Sequence, residues 1–222
     1  IDDVKRISHI ASKADAWVHV DAAWAGSAAV CPEYRYLLDG LDLVDSYVFN
    51  PHKWLLTNFD CSVFFVADSK PLTEALSIVP EYLKNSASET GEVVDYRDWQ
   101  VPLGRRFRSL KLWFVLRSYG VQGLRAYIRQ HIEAATYFEK EIEKFKNLTL
   151  ATPRSLSLVC FRHVESNKKS EILLKQLNST GKVLLTHTII DGMYIIRVAV
   201  GGTYTTKLHL RQLVTLIKEY VN

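Results

Sequence analysis

The chain has 222 residues, enough to bury roughly 70–75% of its unfolded surface in one or two domains. A net charge of +4 and a pI near 8.9 are too mild for a nucleic-acid footprint, and no apolar run reaches the roughly 18 residues of a membrane span. The three cysteines, Cys31, Cys61 and Cys160, are odd in number and far apart, which argues against a disulfide scaffold or a clustered metal site and for buried thiols in a reducing cytoplasm.

Residues 2–14 read as a helix, with Val4, Ile7 and Ile10 on one face. Strands follow at about 16–20, 44–49 and 61–66, near-continuous in hydrophobicity, as strands of a buried sheet are. A helix near 69–77 leads to Pro80. The polar segment 79–101 has little periodicity, and a loop of that length is usually functional or mobile. Helices at about 105–118 and 121–146 are parted by Gly120. The basic run from Arg105 to Lys111 is interleaved with Phe107 and Leu110 and followed by Leu112, Trp113 and Phe114, which reads as a packed helix with a charged side.

The remainder alternates: strand 156–163, helix 168–179, strands 183–189 and 193–199, helix 205–220. Asp191-Gly192 between the last two strands is a hairpin turn, since both residues tolerate positive φ. The fold class is thus α/β, ending in a small α+β unit. The chain opens on Ile1 in a helix already leading to a strand, which reads as the C-terminal part of a longer protein.

Two residues carry the chemistry. Lys53, in Asn50-Pro51-His52-Lys53-Trp54, follows an apolar strand and a proline turn. Among Trp54, Leu55 and Phe59 it would be partly desolvated, which favours the nucleophilic amine that a Schiff-base lysine needs. Asp21, in His19-Val20-Asp21-Ala22-Ala23-Trp24, falls at a strand's C-terminal end, where α/β folds collect ligands. A carboxylate there can pair with a protonated pyridine nitrogen and keep the ring an electron sink. Together they point to pyridoxal 5'-phosphate. The small residues Ala22, Ala23 and Gly26 would let a flat ring approach the backbone.

With these blocks, and with Asn58-Phe59-Asp60-Cys61-Ser62, Tyr82-Leu83-Lys84, Asp95-Tyr96-Arg97, Pro102-Leu103-Gly104-Arg105-Arg106-Phe107-Arg108 and Arg125-Ala126-Tyr127-Ile128-Arg129, the chain resembles the group II pyridoxal-phosphate decarboxylases, closest to the aromatic-L-amino-acid decarboxylases. The resemblance is dense from about residue 10 to 132. It implies a fold-type-I PLP-dependent transferase-like architecture. Residues 1–120 would be the C-terminal part of the cofactor-binding large domain, with a mobile catalytic loop at about 79–101. Residues 121–222 would be a small C-terminal domain with its linking helix.

The resemblance further implies that Lys53 carries the cofactor, Asp21 pairs with its ring nitrogen, Ala23 lies against the ring, and Asn50 and His52 contact the phosphate. Tyr82 would donate the proton that replaces CO2, and Gly104 would leave room in the substrate pocket for a large aromatic side chain. Related aldehyde synthases carry phenylalanine where this chain has Tyr82, so tyrosine there favours the amine product. Trp24 stands where the family more often has tyrosine. The resemblance also implies a homodimer with active sites at its interface. The alternatives are an aromatic aldehyde synthase and a non-catalytic fragment lacking the N-terminal half of the site. An aminotransferase is disfavoured because no arginine motif offers a second carboxylate site.

Overall fold

The computed structural model describes residues 1–77 and 93–221. The first half is built on a three-stranded sheet. Helix α1 (Val4–Ala11), capped by the Asp3 carboxylate on the Arg6 N–H, leads to β1 (His19–Asp21). A parallel neighbour requires a crossover, and here it is three 3-10 turns, at Ala25–Val30, Pro32–Leu38 and Leu41–Leu43. Strand β2 (Ser46–Phe49) then pairs in parallel with β1, setting Asp21 beside Val48. One helical turn, α2 (Pro51–Trp54), separates it from the antiparallel β3 (Val63–Val66). Helix α3 (Lys70–Leu76) follows.

β1 begins later than the hydrophobicity suggests. The Asp45 carboxylate takes the Val18 N–H at 2.6 Å and the Ser46 hydroxyl takes the Trp17 indole N–H at 2.9 Å, so side chains take these donors while only the Val18 carbonyl accepts backbone N–H groups, from Asp45 and Ser46. The apolar strands are also less covered than expected, since Phe64 and Phe65 are 47% and 56% exposed. Their cover does not come from the described residues.

Of the segment expected to lack regular structure, residues 93–101 are described and hold a single 3-10 turn, Tyr96–Trp99, capped by Asp95. Helix α4 (Arg108–Ile142) then spans 35 residues, broken at Gly120 (φ 61, ψ 170), a conformation L side chains rarely adopt. Its first half is not the packed helix expected: Phe107 is 73% exposed, and Trp113 and Phe114 are also open.

The second half of α4 grips the crossover. Arg125 Nε donates to the Val30 carbonyl at 2.8 Å, and Arg129 makes a two-pronged ion pair with Glu33 at 2.6 and 2.9 Å, holding the Glu33 carboxyl at about 2. This half of α4 also enters a second core. Antiparallel strands β4 (Leu148–Leu150), β5 (Leu158–His163), β6 (Thr186–Ile190) and β7 (Met193–Ala199) lie in the order β4-β5-β7-β6. Phe138 and Ile142 of α4 pack on Phe161, Ile196 and Val198 of the sheet, with α5 (Asn167–Ser179) and α6 (Lys207–Tyr220) alongside. Asp191 and Gly192 both have positive φ, as the β6–β7 hairpin needs. All three cysteines are buried and free.

Gly26 has a packing role. A Cβ there would sit 2.4 Å from the Tyr47 hydroxyl and 2.7 Å from the Phe49 Cβ. The missing side chain makes room for the sheet's aromatics. Gly26→Ala is expected to cost about 1–3 kcal/mol through overpacking, read as a lowered denaturant midpoint at unchanged slope.

Candidate active site

Because β1 and β2 are parallel neighbours, their C-terminal ends lie on one edge of the sheet. The pairing continues past Asp21: Ala22 N–H donates to the Val48 carbonyl and Asn50 N–H to the Ala23 carbonyl, both at 2.9 Å. Asp21, Ala23 and Asn50 are therefore brought together by backbone bonds, and α2 places His52 and Lys53 immediately after them. Proline at its first helical position suits the turn, since that N–H would have no partner.

Each polar group on this edge has a set orientation. Asp21 Oδ1 accepts the Ala23 N–H at 2.9 Å, fixing the carboxylate at the strand end. Ser62 Oγ donates to Asn50 Oδ1 at 2.6 Å, which leaves the Asn50 amide NH2 as the free donor. His52 Nδ1 lies 2.7 Å from the Cys61 carbonyl and 2.9 Å from the Cys61 N–H, so Nε2 is the nitrogen turned away from Cys61. The Phe59 ring meets the His52 ring edge-on at 4.9 Å. This set suits a flat anionic cofactor bearing a basic ring nitrogen: the Asp21 carboxylate, the Lys53 side-chain nitrogen, the Asn50 amide, the His52 ring and the small Ala22 and Ala23.

Lys53 is not desolvated as the sequence suggested. It is exposed, with no ion pair among the described residues, while Phe59 is 82% exposed and gives no cover. Adjacent helical residues point about 100° apart, so Trp54 turns inward as Lys53 turns out. Trp54 is fully buried and stacks on Trp24 at 4.3 Å between ring centroids. Gly104 lies in an exposed stretch with no atom within 4 Å of where a Cβ would be, and the described residues build no pocket around it. Tyr82 lies outside the described residues.

One buried group escaped the sequence reading. His131 of α4 is 1% exposed and accepts the Trp54 indole N–H at 2.9 Å. It falls on the same stripe as Leu124, Ile128, Ala135 and Phe138, so its spacing marks it only as core.

Residues 1–164 match the family model described as the pyridoxal-dependent decarboxylase conserved domain. The chain belongs to the pyridoxal-dependent decarboxylase family. It is 47% identical to a phenylacetaldehyde synthase of Arabidopsis thaliana over 99% of its own length and 46% of the relative's. It is 48% identical to tyrosine decarboxylase 2 of Narcissus pseudonarcissus, covering 96% of this chain and 44% of that one. Among solved structures it is similar to Oryza sativa TDC with PLP and tryptamine, with a TM-score of 0.94, 42% identity, and coverage of 100% and 47%. The chain therefore spans about half the length of the decarboxylase-family proteins it matches. The likeness carries the α/β, fold-type-I architecture expected of it.

Proposed function

We propose that the full-length protein decarboxylates an aromatic L-amino acid to the aryl amine and CO2, using pyridoxal 5'-phosphate held at the β1–β2 edge. The observation that carries this reading is the placement of Asp21 and Lys53 on one edge of two paired strands, in a chain of this family. The proteins named above are a phenylacetaldehyde synthase, a tyrosine decarboxylase and a structure holding PLP and tryptamine, which supports an aromatic substrate.

The cofactor supplies the electron sink for the charge left by CO2 loss. Lys53 Nζ is the covalent anchor. The Asp21 carboxylate, through its oxygen not engaged by Ala23, would pair with the cofactor's ring nitrogen and favour its protonated form. The Asn50 NH2 and His52 Nε2 would hold its phosphate, and Ala23 would leave room for its ring. The Tyr82 phenol delivers a proton to the substrate α-carbon, a contribution of roughly 10²–10⁴-fold for a positioned acid. The absence of a side chain at Gly104 leaves space for the substrate's aromatic group.

The active unit in this reading is a homodimer with sites at its interface, supported by the open apolar face of α4 around Trp113 and Phe114. The domain division at residue 120 is supported by the break at Gly120, and a reducing cytoplasm by the three free thiols. A second reading, the aldehyde synthase, is favoured by the 47% identity to a phenylacetaldehyde synthase.

The deciding experiment is a substrate panel on the full-length protein, with amine, aldehyde and peroxide measured together. Amine without peroxide is the expected result; aldehyde with stoichiometric peroxide overturns it. Tyr82→Phe is expected to shift product from amine toward aldehyde, and unchanged amine output would remove Tyr82 from the proton-donor role.

A further inference from the structure

We propose that His131 is a positioning residue: through a single ring tautomer it locks the Asp21 and Lys53 segments to the loop 201–205 that follows β7. The inference rests on reading Lys53 and Asp21 as cofactor residues for its functional meaning, but the lock itself stands on contacts within the chain.

The tautomer follows from hydrogen-bond chemistry. An indole N–H can only donate, so His131 Nδ1, 2.9 Å from Trp54 Nε1, must carry a lone pair. The ring proton is then on Nε2, and the backbone of Gly202 and Thr205 in the loop faces the ring. The imidazole thus holds a side chain of α2 beside the loop, to which the neighbouring Tyr127 of the same helix is bonded at Gly201. Burial holds His131 in its neutral form, pushing its pKa below the ordinary histidine value. Protonation would set two N–H groups against each other at Trp54. Tyr127, from the same helix, is the titratable ring packed on it at 4.4 Å; Trp54 and the loop backbone present no charge.

The lock reaches both cofactor residues. Trp54 adjoins Lys53 in α2. Its indole stacks face to face on Trp24 at 4.3 Å, and His131 lies at the indole's N–H edge, its ring nearly parallel and 6.4 Å away. Trp24 follows Asp21 by three residues. The loop closes on the same stack: a Cβ on Gly201 would meet Trp24 Nε1 at 3.6 Å and Trp54 Cδ1 at 3.7 Å, and the Tyr127 hydroxyl donates to the Gly201 carbonyl at 3.2 Å. A shift of the loop is therefore felt by the segments bearing Asp21 and Lys53 through Gly201 beside the two indoles and the Tyr127 bond.

The test uses the full-length protein with and without added pyridoxal phosphate. His131→Phe keeps ring volume and removes the acceptor; His131→Asn keeps an acceptor near the Nδ1 position. In the cofactor-free protein, His131→Phe is expected to speed amide hydrogen exchange about tenfold in peptides covering 51–57 and 201–206 and leave 158–163 unchanged, with His131→Asn restoring most of the protection. In the loaded protein, the pH midpoint of the Lys53-dependent visible band should move, and kcat should fall roughly 10–100-fold with little change in KM, the cost of a misplaced group. A lowered melting temperature with exchange and band midpoint unchanged would overturn the proposal and leave His131 a packing residue. If His131→Phe does not fold, Trp54→Phe, which removes the donor and keeps a stacked ring, is read the same way. Absence of any Lys53-dependent band in the wild type would sink the cofactor reading alone, since the exchange measurement still decides the lock.

Discussion

Lys53→Ala in the full-length protein is expected to abolish the visible band that forms with pyridoxal phosphate and to reduce turnover by more than the roughly 10²–10⁴-fold typical of one proton-transfer group. Lys53 has no ion pair among the described residues, so its removal breaks no internal interaction. Alanine is the better helix former at an exposed helical site, and folding stability should stay within about 0.5 kcal/mol of the wild type. A large functional loss without a stability loss is the mark of a chemical role. Borohydride reduction of the loaded wild type should add the mass of the reduced cofactor to the peptide containing Lys53, and to no peptide of the variant. A variant that keeps the band would mean that the amine is not the anchor. The exposure of Lys53 fits this role, because an anchor must be reachable before the cofactor covers it.

How far the fold could be read in advance depended on how local its cause was. Strand 193–199 was placed to the residue, because alternation and the Asp191-Gly192 turn are local signals. The break at Gly120 was visible for the same reason. Strand 148–150 falls in the stretch between helix 121–146 and strand 156–163 that the sequence leaves without an element: three residues are too few to show a period, and pairing with β5 alone makes them a strand. β1 was set too early because Asp45, 27 residues away, takes the Val18 N–H, which no local pattern shows.

The site divides along the same line. Asp21, Asn50, His52 and Lys53 sit in motifs that could be recognised, and the parallel pairing of β1 and β2 accounts for their meeting. The environment of Lys53 was misjudged because neighbours in sequence were taken for neighbours in space, whereas Trp54 packs into the stack on Trp24. The near neighbours of Gly26, Tyr47 and Phe49 of the adjacent strand, were hidden for the same reason. His131 was hidden because a histidine on an apolar stripe is usually core, and only its partner 77 residues away gives it another meaning.

Phe138→Ala is expected to be the most destabilising single change, at about 3–5 kcal/mol. Phe138 is fully buried, meets the Phe161 ring edge-on at 6.0 Å, and joins α4 to the four-stranded sheet. Removing its ring leaves a cavity between elements pinned on both sides, by the β5–β7 ladder and by α6, so collapse can recover little of the loss. For a unit of about this size the cost corresponds to roughly 6–20 °C in melting temperature. Phe138→Leu, which keeps most of the volume, should cost less than half as much. The effect should also reach the site, since Phe138 lies two helical turns beyond His131 on the same stripe of α4. Thermal melts of the two variants, read beside hydrogen exchange in residues 51–57, check both parts. A loss below about 1 kcal/mol for Phe138→Ala would show that the second core does not hold α4 in place, and the lock through His131 would then need another anchor.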